Sequence, residues 1–292
     1  MRTAILIFLA GAGLMAGAQA VCADITVAPQ YSSAHVYVPP AALDRFVASV
    51  LATFGGSKSQ KALLKITPTA SQTNWQAVTT PVGLFSVFGF KTPIPYPFGL
   101  ERTGYLVTDM DVAVEAARQN GADVQVAAFP DPIGRDVIIE WPGGVRMQLY
   151  WHTTAPKSPA LMSVPENRVY VSADRADAFI KDFVAFAHGK IASNEARAPG
   201  IEIGRPGETY RRVRIDSNFG KVTVLVTDGH LPYPYGHEIM GYEVTNLAET
   251  LCKAEAAGVK ILVHPYSDDS RQAALVEFPG GYIAELHSTS HP

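Results

Sequence analysis

Apolar and polar residues alternate in short runs along most of the chain, and longer stretches with helical spacing interrupt the runs at regular intervals. "AHVYV" (Ala34 to Val38) and "RVYV" (Arg168 to Val171) alternate with period two, as strands with one buried face do. Each is followed by a segment, "AALDRFVASVLATF" or "RADAFIKDFVAFAHG", in which Phe, Val and Ala recur three and four residues apart. That spacing predicts an amphipathic helix. In the second copy "TYRRVRI" and "KVTVLVT" read as strands, with a weaker one around "KIASNE". The order then restarts. "RTGYLVT" is a strand, "DMDVAVEAARQNG" is a helix opened by an acidic cap and stopped at Gly121, and "VQVAAFP", "DVIIEWP" and "VRMQLYW" are strands. "MGYEVT", "NLAETLCKAEAAG", "VKILVHP", "AALVEFP" and "YIAELHS" repeat it. The unit is βαβββ, and the pattern predicts four of them.

The modules are paired two and two by an internal repeat. "IPYPFGLERTGYLVTDM" (Ile94 to Met110) and "LPYPYGHEIMGYEVTNL" (Leu231 to Leu247) agree at nine of seventeen positions. The offset of 137 residues also relates Pro142-Gly143-Gly144 to Pro279-Gly280-Gly281 and Gly121 to Gly258. An α+β protein of two domains follows, residues 31–152 and 166–288, joined by a proline-rich linker at 153–165 that lacks periodicity. A length of 292 residues suits two domains of ordinary size.

Composition narrows the classes. Apolar residues are 47% and charged residues 17% of the chain, the proportions of a globular protein. A net charge of −3 with scattered Lys and Arg excludes an electrostatic footprint for nucleic acid. The one basic cluster, "YRRVRI", reads as a strand with arginines on its outer face. The first residues read as a secretory signal peptide over 1–23: a basic start, the apolar run "AILIFLAGAGLMA", and small-residue cleavage points after Ala20 or Ala23. A periplasmic or secreted protein with no membrane attachment after cleavage is expected. Cleavage after Ala23 leaves Cys252 as the lone cysteine, so no intramolecular disulfide is available.

A strand-helix-three-strand unit leaves a curved sheet with helices on one face and a concavity on the other, and two units side by side close that concavity into a cleft for a small molecule. With "GYLVTDMDVAVEAARQNGADV" and "WPGGVRMQL" repeated as "GYEVTNLAETLCKAEAAGVKI" and "FPGGYIAELH", the chain resembles the vicinal oxygen chelate superfamily. This superfamily includes glyoxalase I, bleomycin-resistance proteins and extradiol ring-cleaving dioxygenases. The four-module layout is most similar to the dioxygenase branch and implies four βαβββ modules in two glyoxalase-like domains.

The resemblance implies a divalent metal held by residues on the opening and final strands. Alignment on the Pro-Gly-Gly turn puts Gln148 and Glu285 at the family's terminal glutamate. Alignment on the opening strands puts Ser33 and Glu166 at the first ligand, with Arg102 and Ile239 at the second. The first domain then has no ligand set. In the second, His237 precedes Ile239 by two residues and shares its strand face, and His287 stands in the same relation to Glu285. Glu166, His237 and Glu285, with His287 beside them, form the candidate set for Fe, Mn, Ni or Zn. In an enzyme Glu285 and Glu166 hold the metal or act as general base, and His237 is ligand or acid and base. Tyr233, Tyr235, Arg168 and Ile239 are the candidate substrate contacts. The bland alternative pairs Glu285 with Arg168 or Arg212.

Two functions stay open on these residues. One is an exported glyoxalase- or dioxygenase-like protein that binds and transforms a small aromatic or apolar molecule in the second-domain cleft. The other is metal-free binding or sequestration of the bleomycin-resistance type. Edge-to-edge pairing of such modules between chains also leaves a homo-oligomer open. The paired "PYPFG" and "PYPYG" segments read either as stiff bridges between modules or as an aromatic rim over the cleft. His35 reads as a hydrogen-bonded histidine beside the first cleft, His264 as a turn residue, and Cys252 as a packed mid-helix residue.

Overall fold

Local chemistry sets the helix ends. Asp109 accepts hydrogen bonds from the backbone N–H groups of Asp111 and Val112, and Asn246 accepts one from Glu249, so two helices begin with side-chain caps. A computed structural model describes residues 24–154, 156–268 and 271–289. The leader read at 1–23 lies outside them. The first module comprises β1 (Ser33–Tyr37), α1 (Leu43–Phe54), β2 (Ser57–Lys58), β3 (Ala62–Leu64), β4 (Thr73–Thr80) and β5 (Gly83–Phe90). The second comprises β6 (Thr103–Leu106), α2 (Met110–Gln119), β7 (Asp123–Asp131), β8 (Gly134–Trp141) and β9 (Val145–His152). The third has β10 (Glu166–Ser172), α3 (Ala173–Phe186), β11 (Lys190–Pro199), β12 (Thr209–Ser217) and β13 (Gly220–Thr227). The fourth has β14 (Ile239–Glu243), α4 (Leu247–Ala256), β15 (Lys260–Asp268), β16 (Arg271–Phe278) and β17 (Tyr282–Thr289).

The modules form two sheets. One runs β2-β4-β5-β1-β6-β9-β8-β7, with β3 also on β4, and the other β11-β12-β13-β10-β14-β17-β16-β15. In each module the opening strand lies parallel to the last, and the two opening strands of a sheet meet antiparallel at its centre. The seam sets the register of the cleft. Ser33 stands level with Gly104, and Gly104 with Gln148; Glu166 stands level with Gly241, and Gly241 with Glu285.

Strand alternation divides each sheet into a helix-covered face and a concave face. On β1, Ala34 and Val36 join the apolar core while Ser33, His35 and Tyr37 line the other side. The cores are shared crosswise. Helix α1 packs with the fourth module, where Phe46 meets Phe278 and Tyr282 at ring separations of 5.8 and 5.7 Å. Helix α3 packs with the second module, where Phe183 meets Trp141 at 5.9 Å. Sheets thus pair modules one with two and three with four, while cores pair one with four and two with three. The repeated Pro-Gly-Gly turn serves this crossing. A Cβ on Gly143 would stand 2.7 Å from Val171, and one on Gly280 2.7 Å from Val38, both at positive φ. The linker is also docked, since Met162 N–H donates to Pro81 and the Ser163 hydroxyl to Glu243.

Several sequence expectations differ in detail. Arg212 is buried on the concave face, because Arg211, Val213 and Ile215 take the opposite parity and the last two enter the core. His264 lies in β15 at a register irregularity, and Cys252 is exposed. Among the described residues no helix is long and apolar enough to cross a membrane.

Candidate functional site

Each half has a concave face, and the two are filled differently. In the second half the opening strand contributes Glu166 and Arg168, β12 Arg212, β16 Arg271 and β17 Glu285, while a single 3-10 turn, Gly200–Ile203, carries Glu202 in from the side. All six are buried. Arg168 reaches Glu166 and Glu202 at 2.8 Å each and Glu285 at 3.1 Å. Arg271 reaches Glu166 at 3.0, Glu202 at 2.9 and Glu285 at 3.1 Å. Arg212 and Tyr210 donate to the other oxygen of Glu202, and Arg212 also meets Glu195 at 2.9 Å. Three carboxylates thus face three guanidiniums.

The electrostatics follow from that balance. Burial by itself would push the Glu202 carboxyl up, but Arg168, Arg271 and Arg212 together hold it down at about 2. Burial likewise opposes ionisation of Glu166 and Glu285, and the neighbouring arginines outweigh it, so both stay below the usual carboxylate range. The cluster is fully ionised at neutral pH.

Of the residues expected in a metal site, the fold brings Glu166, Glu285 and His287 together, with His287 Nδ1 3.2 Å from Glu285. His237 is elsewhere. It occupies an exposed bend before β14 and borders a surface hollow with Arg102 and Arg146. The position level with Glu166 and Glu285 is Gly241 rather than Ile239, and likewise Gly104 rather than Arg102 in the first half, because the seam pairs residues two further along than an alignment by the last valine gives. Arg168 and His287 fold over Gly241, where a Cβ would meet them at 3.3 and 3.4 Å.

A divalent cation does not fit this donor set. Glu285 accepts no well-aligned hydrogen bond, but both of its oxygens already lie 3.1 Å from a guanidinium, whose positive charge would oppose a metal in the same space. Among the described residues no group of three or more His, Cys, Asp or Glu is arranged to hold a metal ion. The remaining candidate contacts divide. Tyr233 is exposed and donates to Glu277, whereas Tyr235 and Ile239 pack with Leu275.

The first half is open. Its concave face encloses a cavity of about 390 Å³, within the usual range for small-molecule sites. Tyr37, Trp75, Ala77, Phe88, Phe98 and Ile133 supply much of the apolar wall. Within the repeated proline segments, Tyr96 and Tyr233 point to solvent, while Phe98 and Tyr235 turn inward. Each segment is therefore a bridge whose second aromatic is buried.

The polar residues of the cavity include Ser33, His35, Asp131, Asp136, Gln148 and His152, with Ser86 beneath. Backbone N–H of His35 donates to Arg102, and its ring lies edge-on to Phe88 with Nε2 over Gly104, so close that a Cβ there would collide with it. Nδ1 faces Glu101 at 3.8 Å without a hydrogen bond, and Glu101, fully buried, accepts from Tyr37 Oη. Asp136 is 6% exposed and is hydrogen-bonded to Gln148. Burial, with Asp131 and Glu101 nearby, pushes its carboxyl well above the ordinary aspartate range. Burial lowers His152 in turn, so the mouth carries a neutral imidazole.

The sequence matches no protein-family model and no curated protein. Solved structures do match. A mutant of 4-hydroxymandelate synthase from Streptomyces coelicolor superposes with a TM-score of 0.60 at 12% identity, covering 91% of this chain and 92% of that one. For 2,2',3-trihydroxybiphenyl 1,2-dioxygenase from Sphingomonas wittichii the TM-score is 0.53 at 13% identity, over 88% and 89% of the two chains. The Mn(II)-bound glyoxalase from Novosphingobium aromaticivorans gives 0.50 at 12%, over 91% and 82%. The chain has the vicinal oxygen chelate fold, in its form of four βαβββ modules.

Proposed function

We propose that this is an exported protein that binds a small, largely apolar molecule without a metal, and that the ligand occupies the first-half cavity rather than the second-half cleft. One observation carries the reading. The concave face of the first half is open and lined mostly by apolar side chains, with Asp131 and Asp136 its acidic residues, while the same face of the second is filled by its own ion pairs. A ligand in the second half would have to displace six mutually neutralised side chains, whereas in the first it displaces water. The dioxygenase and glyoxalase neighbours handle small molecules, which supports a small-molecule ligand. At such low identity the chemistry their names describe does not carry over. Export rests on the leader read at 1–23.

Calorimetric titration with naphthalene, a neutral probe of suitable size, tests the site. One-to-one binding is expected in the wild type and none in Ala77→Trp, which fills the cavity from β4. Absence of binding, or binding that Ala77→Trp leaves intact, would overturn the reading. Mass spectrometry of the periplasmic protein is expected to show a chain beginning after Ala20 or Ala23; an intact leader would exclude cleavage.

A further inference from the structure

Asp136 is a buried acidic residue of this face that the second half lacks. Its counterpart in the second half, opposite His287 as Asp136 is opposite Tyr150, is Ala273. An alanine satisfies the same strand, so the carboxyl in the first half answers to something other than folding. Burying it is costly without a partner. Gln148 is its hydrogen-bonding neighbour, and the nearby charged groups, Asp131 and Glu101, are of its own sign. Among the described residues no Lys or Arg lines the cavity.

The surroundings restrict what a ligand can be. A carboxylate or phosphate would enter beside Asp131, Asp136 and Glu101 with no cation to receive it. An ammonium would gain an ionised Asp136, but both charges would have to shed water in an apolar enclosure, a balance that buried ion pairs seldom win. An uncharged polar group meets neither penalty. A protonated Asp136 offers an O–H donor. His35, with Nδ1 turned to the Glu101 carboxylate, leaves Nε2 as an acceptor over Gly104, in the row that ends at Gln148. Both residues line the one cavity, and a donor and an acceptor within it suit a hydroxyl.

We propose that the first-half cavity selects an uncharged, ring-sized molecule bearing a hydroxyl, which accepts a hydrogen bond from Asp136 and donates one to His35, and that it excludes the same skeleton carrying a charge of either sign. This rests on the placement of the ligand in the first half. A matched series separates the two ideas: calorimetry at pH 7 with naphthalene, 1-naphthalenemethanol, 1-naphthylmethylammonium and 1-naphthoate. The alcohol is expected to bind about tenfold more tightly than each of the others, the effect of one well-placed hydrogen bond. Asp136→Leu should bring the alcohol to the level of naphthalene in the same variant, and a cooperative thermal melt shows that the variant folds. Asp136→Asn, which keeps a donor, should retain most of the preference. Equal or tighter binding of the ammonium or the naphthoate would overturn the proposal, as would an alcohol preference that survives Asp136→Leu. Failure of every probe to bind would instead overturn the placement in the first half, and this proposal with it.

Discussion

Position by position, the two concave faces share a backbone and little else. Ser33, His35, Trp75, Asp136 and Gln148 in the first half correspond to Glu166, Arg168, Arg212, Ala273 and Glu285 in the second. Long charged side chains reach across the second concavity and neutralise one another, whereas short or ring-shaped ones leave a space in the first. The difference teaches that a duplicated cleft can be closed without changing a strand. Exchanging residues of one parity suffices, because the opposite parity holds the core that both halves share.

The comparison is broken most directly at Arg168. Its replacement by Met leaves Glu166, Glu202 and Glu285 with a missing counter-charge in a buried site, which costs about 3–5 kcal/mol; His35→Leu at the corresponding place should cost about 1 kcal/mol or less. Urea denaturation of both variants checks this. Similar losses would mean that the second cluster is not closed as described. The acid response should distinguish the halves next. The Glu202 carboxyl is held near 2 in the folded state, below its ordinary value, so its contribution is complete above about pH 4.5 and is lost as pH falls toward 2. That shift corresponds to about 3 kcal/mol. Glu202→Gln should flatten the fall in melting temperature between pH 5 and 3, at a large cost in stability at pH 7.

Most of the fold was legible in the sequence because period-two and helical spacings report burial directly, and the repeat reports pairing. The strands "DVIIEWP", "VRMQLYW", "AALVEFP" and "YIAELHS" formed within one or two residues of where their alternation put them, while "KIASNE" and "VKILVHP" run three or four residues further. The crosswise cores were not legible, since amphipathic faces say that a helix is covered and not by which module. Of the candidate site, Glu166, Arg168 and Glu285 do meet, but a terminal glutamate with the family's spacing looks the same whether a metal or a guanidinium stands opposite it. Arg271, on the next strand, and Glu202, on a short turn, decide the matter, and neither belongs to the motif. A signal existed in the parity of Arg168, Arg212 and Arg271, all of which point to the concave side. The first cavity could have been found by noting that Trp75 and His35 replace two of those arginines.

Smaller effects sharpen the comparison. Gly104→Ala should cost about 1–3 kcal/mol and displace the His35 ring, because the new methyl occupies the place of Nε2. Gly241→Ala meets its neighbours at 3.3–3.5 Å and should cost less, which paired thermal melts would show. Asp136→Asn should act with the opposite pH sign to Glu202→Gln. The raised carboxyl binds a proton more tightly in the folded state, so wild-type stability falls as pH rises above the ordinary aspartate range, and the amide removes that loss. A gain at pH 7 that fades as pH falls toward the ordinary aspartate range is expected; a gain independent of pH would mean that Asp136 is ionised in the folded protein.

The smallest expected effect is at His237, where the two halves differ in sequence but not in chemistry. The side chain stands in solvent beside β14, apart from Glu166 and Glu285, and an exposed residue that caps no helix and fills no cavity contributes within about 0.5 kcal/mol. His237→Ala should therefore leave the denaturation midpoint, the acid profile and the binding of 1-naphthalenemethanol where they are in the wild type. Added Mn or Zn should raise the melting temperature of neither protein. A metal-dependent rise that disappears in His237→Ala would require the bend to fold inward and Arg168 and Arg271 to withdraw from Glu285. The second half would then be a closed form of a metal site, not a filled one, and the contrast with the first half would be one of state and not of sequence.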